Sequence, residues 1–248
     1  MLAHRAGAGL IQAQAPHRSR GRFIAATGLS FIFTYLYNHS MHLHLLKASG
    51  RLLPFEADLT LAFNEVVQKV IGKIALPEVD VVMADNPNNV IAETGVGGFA
   101  INANLIYVNI NPESSYFREN TLKEVVSTLT HELHHCARIH SIGYGKTLLE
   151  AMVSEGLADH FDIELNKHTP NPWSVNLAPT ELAEMYKKAS TEFANNSYDH
   201  SSWFFGSEEK DIPRWTGYSL GFEIVKKHME KSSKSAAELV STRAEPFI

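Results

Sequence analysis

The chain has 248 residues, of which 44% are hydrophobic and 20% are charged, and its net charge is −5. This length and composition allow one ordinary globular domain with a sizeable core. The mildly acidic balance argues against a nucleic-acid partner, and a single cysteine excludes an internal disulfide.

Residues 1–40 differ in composition from the rest of the chain. Basic residues precede the first acidic residue, Glu56, and a mostly apolar run at residues 23–37 comes after an arginine cluster. The run is typical of a signal-like segment, an anchor or a transit segment, although it is shorter than the roughly 20 residues of a membrane span. A further interpretation is that Met41 is the true start of the protein.

These features divide the chain into an N-terminal extension at residues 1–40 and one domain at residues 41–248. No small-x-small cleavage site comes after the apolar run. We therefore expect a cytoplasmic protein, which contacts a membrane only if residues 23–37 act as an anchor.

A helix followed by short strands is predicted ahead of the first motif. Apolar residues recur at helical spacing over residues 55–74, and residues 79–84 have the pattern of a buried strand. A glycine-rich turn is predicted at residues 95–98. Two more strands, at residues 99–102 and 105–110, are expected after it.

The next segment has the pattern of an amphipathic helix. Thr121 and Glu124 have the spacing of a capping box, which predicts that the helix begins there. Apolar residues then recur at helical spacing and form one stripe, which includes Cys136. We expect Cys136 to be a small buried side chain with no catalytic role.

This helix carries the pattern H-E-x-x-H in the sequence His-Glu-Leu-His-His at residues 131–135. His131 and His135 are four residues apart, so they project from one face of the helix and offer two imidazoles to one metal ion. Glu132 lies between them, near enough to reach a water molecule on that metal. In this pattern the glutamate is the general base of a zinc hydrolase.

A second helix supplies carboxylates. Thr147 and Glu150 form a capping box that opens a helix over about residues 148–165. Glu155 and Asp159 share a face with apolar residues of this helix, and burying a carboxylate costs several kcal/mol unless a cation compensates it. Glu155 would complete three protein ligands, and Asp159 could accept the free N–H of a ligating histidine.

With these residues in place, the stretch from about residue 119 to residue 162 resembles the thermolysin-like clan of zinc peptidases, the gluzincins. In that clan a glutamate on the following helix is the third ligand, and an aspartate one turn later supports a ligand. The sequence around Glu155 and Asp159 is closer still to a bacterial family of predicted zinc-dependent proteases, long catalogued as a domain of unknown function.

The resemblance implies the site and its cofactor. One Zn²⁺ and a water molecule would be held by three protein ligands: His131, His135 and Glu155. Glu132 would take the proton of that water as it attacks a peptide carbonyl, and Asp159 would support a ligand. The partner would be a peptide or protein substrate.

The resemblance also implies an α+β, zincin-like fold. A small N-terminal sheet with a helix would precede the H-E-x-x-H helix, and the C-terminal part would be mainly helical. In the zinc peptidases, the strand before the metal helix is a sheet edge that pairs with an extended substrate. Residues 103–109 are the candidate here, with an edge covered by a loop as the alternative.

The C-terminal part is predicted to contain a helix near residues 179–193, a polar and aromatic connection at residues 195–211 that suits a cleft wall, and a last helix from about residue 216. The predicted-protease family has a similar tyrosine-bearing and glycine-bearing helix near its end. Tyr218 is therefore the first candidate for a hydrogen-bond donor to the oxyanion, ahead of His200 and His228.

Two other classes of function share these ligands. A binding module that keeps the metal for structure or sensing would need no Glu132. A zinc hydrolase that acts on something other than peptides would have the same metal ligands, and a substrate screen would distinguish it. The sequence specifies neither the substrate nor an oligomeric state.

Overall fold

The computed structural model describes residues 41–248. The expected extension at residues 1–40, with the apolar run at 23–37, lies outside the described residues. The described part is α+β, as predicted, with a small mixed sheet in its first third and a mainly helical remainder.

The sheet has four strands: β1 (Met41–Leu45), β2 (Val79–Asp85), β3 (Val96–Asn102) and β4 (Leu105–Ile110). Their order is β1-β2-β4-β3. The first three strands in this order are parallel, and β3 is antiparallel to β4. The predicted strands at 79–84 and 105–110 are confirmed, whereas β1 was not predicted.

One face of the sheet forms part of the core. Alternate side chains of β2 and β4 are fully buried, as expected for strands with one covered face, and they are Val79, Val81, Met83, Ile106, Val108 and Ile110. Helix α1 (Glu56–Val70) connects β1 to β2, because parallel strands need a crossover. Helix α2 (Ser115–Ser141) packs on β3 and β4.

The prediction that residues 103–109 form a sheet edge is wrong. Strand β4 lies between β2 and β3, so both of its sides are paired. The edge beside α2 is β3, which is longer than predicted because Gly97 and Gly98 belong to the strand rather than to a turn. A Cβ atom on Gly97 would meet the backbone of Asn89, so this strand needs a glycine there.

Helix α2 begins earlier than predicted, and the capping box at Thr121 and Glu124 is absent. Ser114 caps the helix, and its side chain accepts a hydrogen bond from the N–H of Phe117. The hydroxyl of Thr121 donates to the Phe117 carbonyl inside the helix. Asn120 departs from helical geometry, with φ −125° and ψ 19°, so the helix is kinked just before the segment that carries the motif.

The capping box at Thr147 and Glu150 is confirmed, and it opens helix α3 (Leu148–Asn166). Four more helices come after it: α4 (Pro179–Ser190), α5 (His200–Phe205), α6 (Thr216–Ser232) and α7 (Ala236–Leu239). Helix α5 lies within the segment predicted as a long connection. Within residues 41–248, no helix is long and apolar enough to cross a membrane.

Two glycines let α3 and α6 approach each other closely. A Cβ atom on Gly156 would collide with the backbone of Gly221, and one on Gly221 would collide with the carbonyl of Met152. Gly156 comes directly after Glu155, and Gly221 lies three residues after Tyr218. The crossing therefore brings the tyrosine-bearing segment of α6 close to the part of α3 that carries the acidic residues.

Candidate metal centre

Three side chains from two helices converge. His131 and His135 project from α2, Glu155 projects from α3, and one potential ligand atom from each lies within 4.8 Å of the others. The Nε2 atom of His131 is 3.0 Å from Nε2 of His135 and 3.2 Å from Oε2 of Glu155. The i, i+4 spacing places the two imidazoles on one face, and the packing of α3 against α2 adds the carboxylate.

The hydrogen bonds of the cluster are compatible with a metal ion between these atoms. Nδ1 of His131 lies 3.0 Å from Oδ1 of Asp159, so in a neutral imidazole the ring proton is on Nδ1 and donates to that carboxylate. Nε2 then carries a lone pair, which faces His135 and Glu155. Nε2 of His131 and the carboxylate of Glu155 thus both face Nε2 of His135, where a proton or a metal ion would lie between them, and two imidazole nitrogens with one carboxylate oxygen suit Zn²⁺.

The charges of the cluster agree with this description. Burial acts to raise the pKa of Glu155, but His135 and His131 hold it well below its usual range. Burial acts to lower the pKa of His131, but Asp159 and Glu155 raise it well above the ordinary value. Glu155 is thus an ionised carboxylate at neutral pH, and a metal ion would compete with a proton for His131.

Asp159 is fully buried and binds Nδ1 of His131, the ring nitrogen that does not face His135 and Glu155. Besides the imidazole, its carboxylate accepts hydrogen bonds from Nε1 of Trp173, at 3.2 Å, and from Oγ of Ser174, at 2.6 Å. Both donors lie in a short 3-10 turn, Pro172–Val175. Asp159 was predicted from the sequence but its two donors were not, and their signal was the polar and aromatic composition of that turn.

Glu132 is buried against the edge strand. Its Oε2 atom accepts a hydrogen bond of 2.8 Å from the N–H of Ala100 on β3. A Cβ atom on Gly98 would lie 2.5 Å from Oε1 of Glu132, so the glycine leaves room for this carboxylate. Burial raises the pKa of Glu132, while His135 and His131 act to lower it.

Tyr144 contacts two members of the cluster and was not predicted. Its hydroxyl donates to Oε1 of Glu155 at 2.5 Å, and its ring centroid lies 5.4 Å from that of His135. Tyr218, the predicted oxyanion donor, lies near the same carboxylates. Burial raises its pKa well above the ordinary value, and the charges of Glu155, Asp159 and Glu132 add to that rise.

The other histidine candidates differ in position. His200 is bonded to the hydroxyl of Tyr198 at 3.0 Å, and burial lowers its pKa while the charge of Glu155 acts to raise it. His228 is bonded to the carbonyl of Pro246 and stacks on Phe247, so it belongs to the packing of the C-terminal residues. His134, which the helical projection excluded as a ligand, is buried beside Phe161 in the core.

Comparison with known proteins defines the class of the chain. Residues 60–248 match the family described as Predicted Zn-dependent protease (DUF2268). Because this match covers well over half of the sequence, the chain belongs to that family. The family description names zinc dependence and protease activity as predictions.

One curated relative was found in Bacillus subtilis (strain 168), where it is called Uncharacterized protein YjaZ. It is 30% identical over 131 residues, which are 50% of this chain and 49% of the relative. The chain thus spans about half the length of the relative that it matches. No solved structure matches the chain.

Proposed function

We propose that this protein is a gluzincin-type zinc peptidase, which hydrolyses peptide bonds with a metal-activated water and a glutamate base. The observation that carries the proposal is the convergence of three lone-pair donors, His131, His135 and Glu155, next to the buried carboxylate of Glu132. When bound, Zn²⁺ would polarise the water and the substrate carbonyl.

Glu132 would act as the general base. Its Oε2 atom is held by the N–H of Ala100, and within residues 41–248 no hydrogen-bond donor occupies Oε1. Burial raises the pKa of this carboxyl group, and a higher pKa makes a carboxylate a better proton acceptor near neutral pH. Oε1 would take the proton of the attacking water and later deliver it to the leaving amine.

The edge strand supports a peptide as the substrate. The N–H of Ala100 and the carbonyl of Val96 point away from β4, where they are bonded to Glu132 and to the N–H of Ile91. A peptide would therefore pair with β3 between them, at the backbone of Gly98, which faces the same side. An extended peptide can form hydrogen bonds with such backbone groups whatever its side chains are. Glu132 lies at this side of the strand, where a scissile bond would be aligned.

Tyr218 is proposed as the donor that stabilises the oxyanion. The carboxylates of Glu155, Asp159 and Glu132 all act on its pKa, which places its hydroxyl among the residues of the site. Replacing Tyr218 with phenylalanine should keep the zinc and lower kcat by about 10²- to 10³-fold, as for other oxyanion donors. Steady-state kinetics on a cleaved peptide would measure this loss.

The decisive experiment for the function is Glu132→Gln. The variant should keep its fold and about one zinc per chain, because glutamine has the same shape and Glu132 is not among the three converging ligands. Hydrolysis of a denatured protein should fall by about 10²- to 10⁴-fold, since the water would lose its base. Glu119→Gln, an exposed residue of the same helix, is the matched control.

Each result has a defined meaning. A Glu132→Gln variant that cleaves within about threefold of the wild type contradicts the mechanism. A wild type that binds zinc but cleaves no peptide or protein in a broad panel favours the binding module. Cleavage of esters or amides of other kinds, without peptides, favours the hydrolase of non-peptide substrates.

A further inference from the structure

Tyr144 connects the turn between α2 and α3 to the candidate metal centre. Its hydroxyl donates to Oε1 of Glu155 at 2.5 Å. Its ring packs against that of His135, with 5.4 Å between centroids and an angle of 60° between planes. One side chain thus contacts a ligand residue on each of the two helices.

The backbone around Tyr144 is held in place by both helices. Oγ of Ser154, on α3, donates to the carbonyl of Tyr144 at 2.7 Å and accepts a hydrogen bond from Nε of Arg138, on α2, at 2.8 Å. Arg138 is 1% exposed, so this chain of contacts is shielded from water. The backbone of Tyr144 is therefore fixed relative to both helices, and its hydroxyl is directed at Glu155.

Two glycines allow the turn to adopt this path. Gly143 and Gly145 have φ values of 90° and 113°, a region that favours glycine. A Cβ atom on Gly145 would collide with the side chain of Glu150, the residue that closes the capping box of α3. The positions on either side of Tyr144 are thus both specialised for presenting it.

The contact with Tyr144 affects how the carboxylate of Glu155 can bind a metal ion. Both oxygens of Glu155 face the histidines, with Oε2 at 3.2 Å from Nε2 of His131 and Oε1 at 3.4 Å from Nε2 of His135, but only Oε1 also accepts a hydrogen bond from Tyr144. A carboxylate oxygen that accepts a short hydrogen bond is a weaker ligand than a free one. Three protein ligand atoms and one water complete a tetrahedral zinc site, whereas a second Glu155 oxygen would be a fifth ligand beside the water.

We propose that Tyr144 is a positioning residue, which restricts Glu155 to coordination through Oε2 and so keeps the metal four-coordinate, with the reacting water as its fourth ligand. This role rests on the proposed function, because it presumes a metal ion at His131, His135 and Glu155. It assigns Tyr144 no contact with substrate, and it distinguishes Tyr144 from Tyr218.

The test replaces Tyr144 with phenylalanine, which keeps the ring against His135 and removes only the hydroxyl. The matched control is Tyr186→Phe, because Tyr186 also packs against an aromatic ring, Phe193, but lies on α4, outside the cluster. Both variants and the wild type are loaded with Co²⁺. The visible absorption of Co²⁺ reports coordination number, since four-coordinate ions absorb more strongly than five-coordinate ions.

The wild type and Tyr186→Phe should show the strong absorption of a four-coordinate ion, and Tyr144→Phe should show a weaker band as Glu155 binds through both oxygens. Zinc affinity, measured against a chelator, should fall by about 10-fold in Tyr144→Phe. A second measurement needs no variant. X-ray absorption of the zinc-loaded wild type should show four nitrogen or oxygen ligands.

A double-mutant cycle tests whether Tyr144 acts through Glu155. In a Glu155→Gln background, removing the Tyr144 hydroxyl should alter zinc affinity by less than about threefold, because the effects of coupled residues do not add. Additive losses would overturn the positioning role.

The proposal and the function on which it rests fail in different ways. An unchanged Co²⁺ spectrum in Tyr144→Phe, or a five-coordinate zinc with two Glu155 oxygens in the wild type, overturns the role of Tyr144 alone. A wild-type chain that binds neither Zn²⁺ nor Co²⁺ overturns the metal centre and the positioning role with it.

Discussion

Helix α3 carries two buried acidic clusters, and they differ in how their acceptors are satisfied. The first is the metal cluster, which consists of His131, His135, Glu155 and Asp159. The second is the Asp162 cluster, in which the carboxylate of Asp162 is bound by Ser127, Asn166 and His168 at 2.5 to 2.8 Å. Asp159 and Asp162 are both fully buried and only three residues apart.

The difference lies in the balance of donors and acceptors. In the Asp162 cluster, both carboxylate oxygens meet O–H or N–H groups, so the cluster is complete without an added ion. In the metal cluster, the potential ligand atoms of His131, His135 and Glu155 face one another. Histidines and carboxylates occur in both, so this balance, rather than the residue types, distinguishes a candidate metal site from a structural network.

The largest expected effect separates the two clusters by metal content. His135→Ala should reduce zinc from about one per chain to near zero, because a tetrahedral site loses one of three protein ligands. His168→Ala should keep its zinc, since His168 belongs to the Asp162 cluster. Elemental analysis of both purified variants measures the difference, and full zinc occupancy in His135→Ala would contradict the proposed site.

The second-largest effect is expected when each of the two aspartates is replaced by asparagine and the two variants are compared. Asp159→Asn should lower zinc affinity by about 10- to 100-fold, because the histidine ligand loses the carboxylate that orients it. Asp162→Asn should leave zinc affinity unchanged but cost roughly 1–3 kcal/mol of stability, since its amide nitrogen would face donors. Chelator competition and urea unfolding measure the two quantities. The same loss of affinity in both variants would remove the distinction between the clusters.

A smaller effect concerns the charge of His168. Its Nε2 atom lies 2.8 Å from Oδ2 of Asp162 and its Nδ1 atom 2.6 Å from the carbonyl of Thr169, so both ring nitrogens face acceptors and the ring is expected to carry both protons. The hydrogen bond to Asp162 raises the pKa of His168, although burial acts against it.

A raised folded-state pKa fixes the sign of the pH dependence. The stabilisation by His168 is complete below the unfolded-state pKa of about 6.5 and is lost as the pH rises through the higher folded-state value. His168→Ala should therefore cost more stability at about pH 5.5 than at about pH 9, by roughly 1 kcal/mol. Urea unfolding of wild type and variant at both pH values measures this, and a larger cost at high pH would be the opposite of the expected sign.

The smallest expected effect is that of removing residues 1–40. All residues of the two clusters lie between residues 127 and 168, far along the chain from the segment that the truncation removes. A chain that begins at Met41 should keep the zinc content and thermal midpoint of the full chain. Aggregation or loss of metal on truncation would show that residues 23–37 contribute to the core.

Features that depend on local helix geometry were predictable. The spacing of His131 and His135 determines that they share a face, and the spacing of Glu155 and Asp159 does the same on α3. The capping box at Thr147 was predicted correctly, whereas the same spacing at Thr121 and Glu124 lies inside a helix that Ser114 caps, so the local pattern alone does not determine where a helix begins.

Features that depend on long-range pairing were not predictable. Residue alternation in β4 indicates a strand, but it contains no information about which strands lie beside it, so the edge was assigned to the wrong strand. Tyr144, Trp173 and Ser174 contact the metal cluster from turns, and their positions depend on how those turns fold back onto α3. The glycines on either side of Tyr144 were the available signal for the first of these contacts.

Cys136 comes directly after His135, and its burial offers a native reporter of local opening. The thiol donates to the carbonyl of Asn102 on β3 at 3.5 Å, and burial raises its pKa to about 12. The thiolate is the form of cysteine that attacks disulfide reagents, so the folded chain should be labelled very slowly at neutral pH. This is the single cysteine of the chain, so no introduced probe is needed. Its labelling rate would report how often β3 separates from α2, and would give the free energy of that local opening.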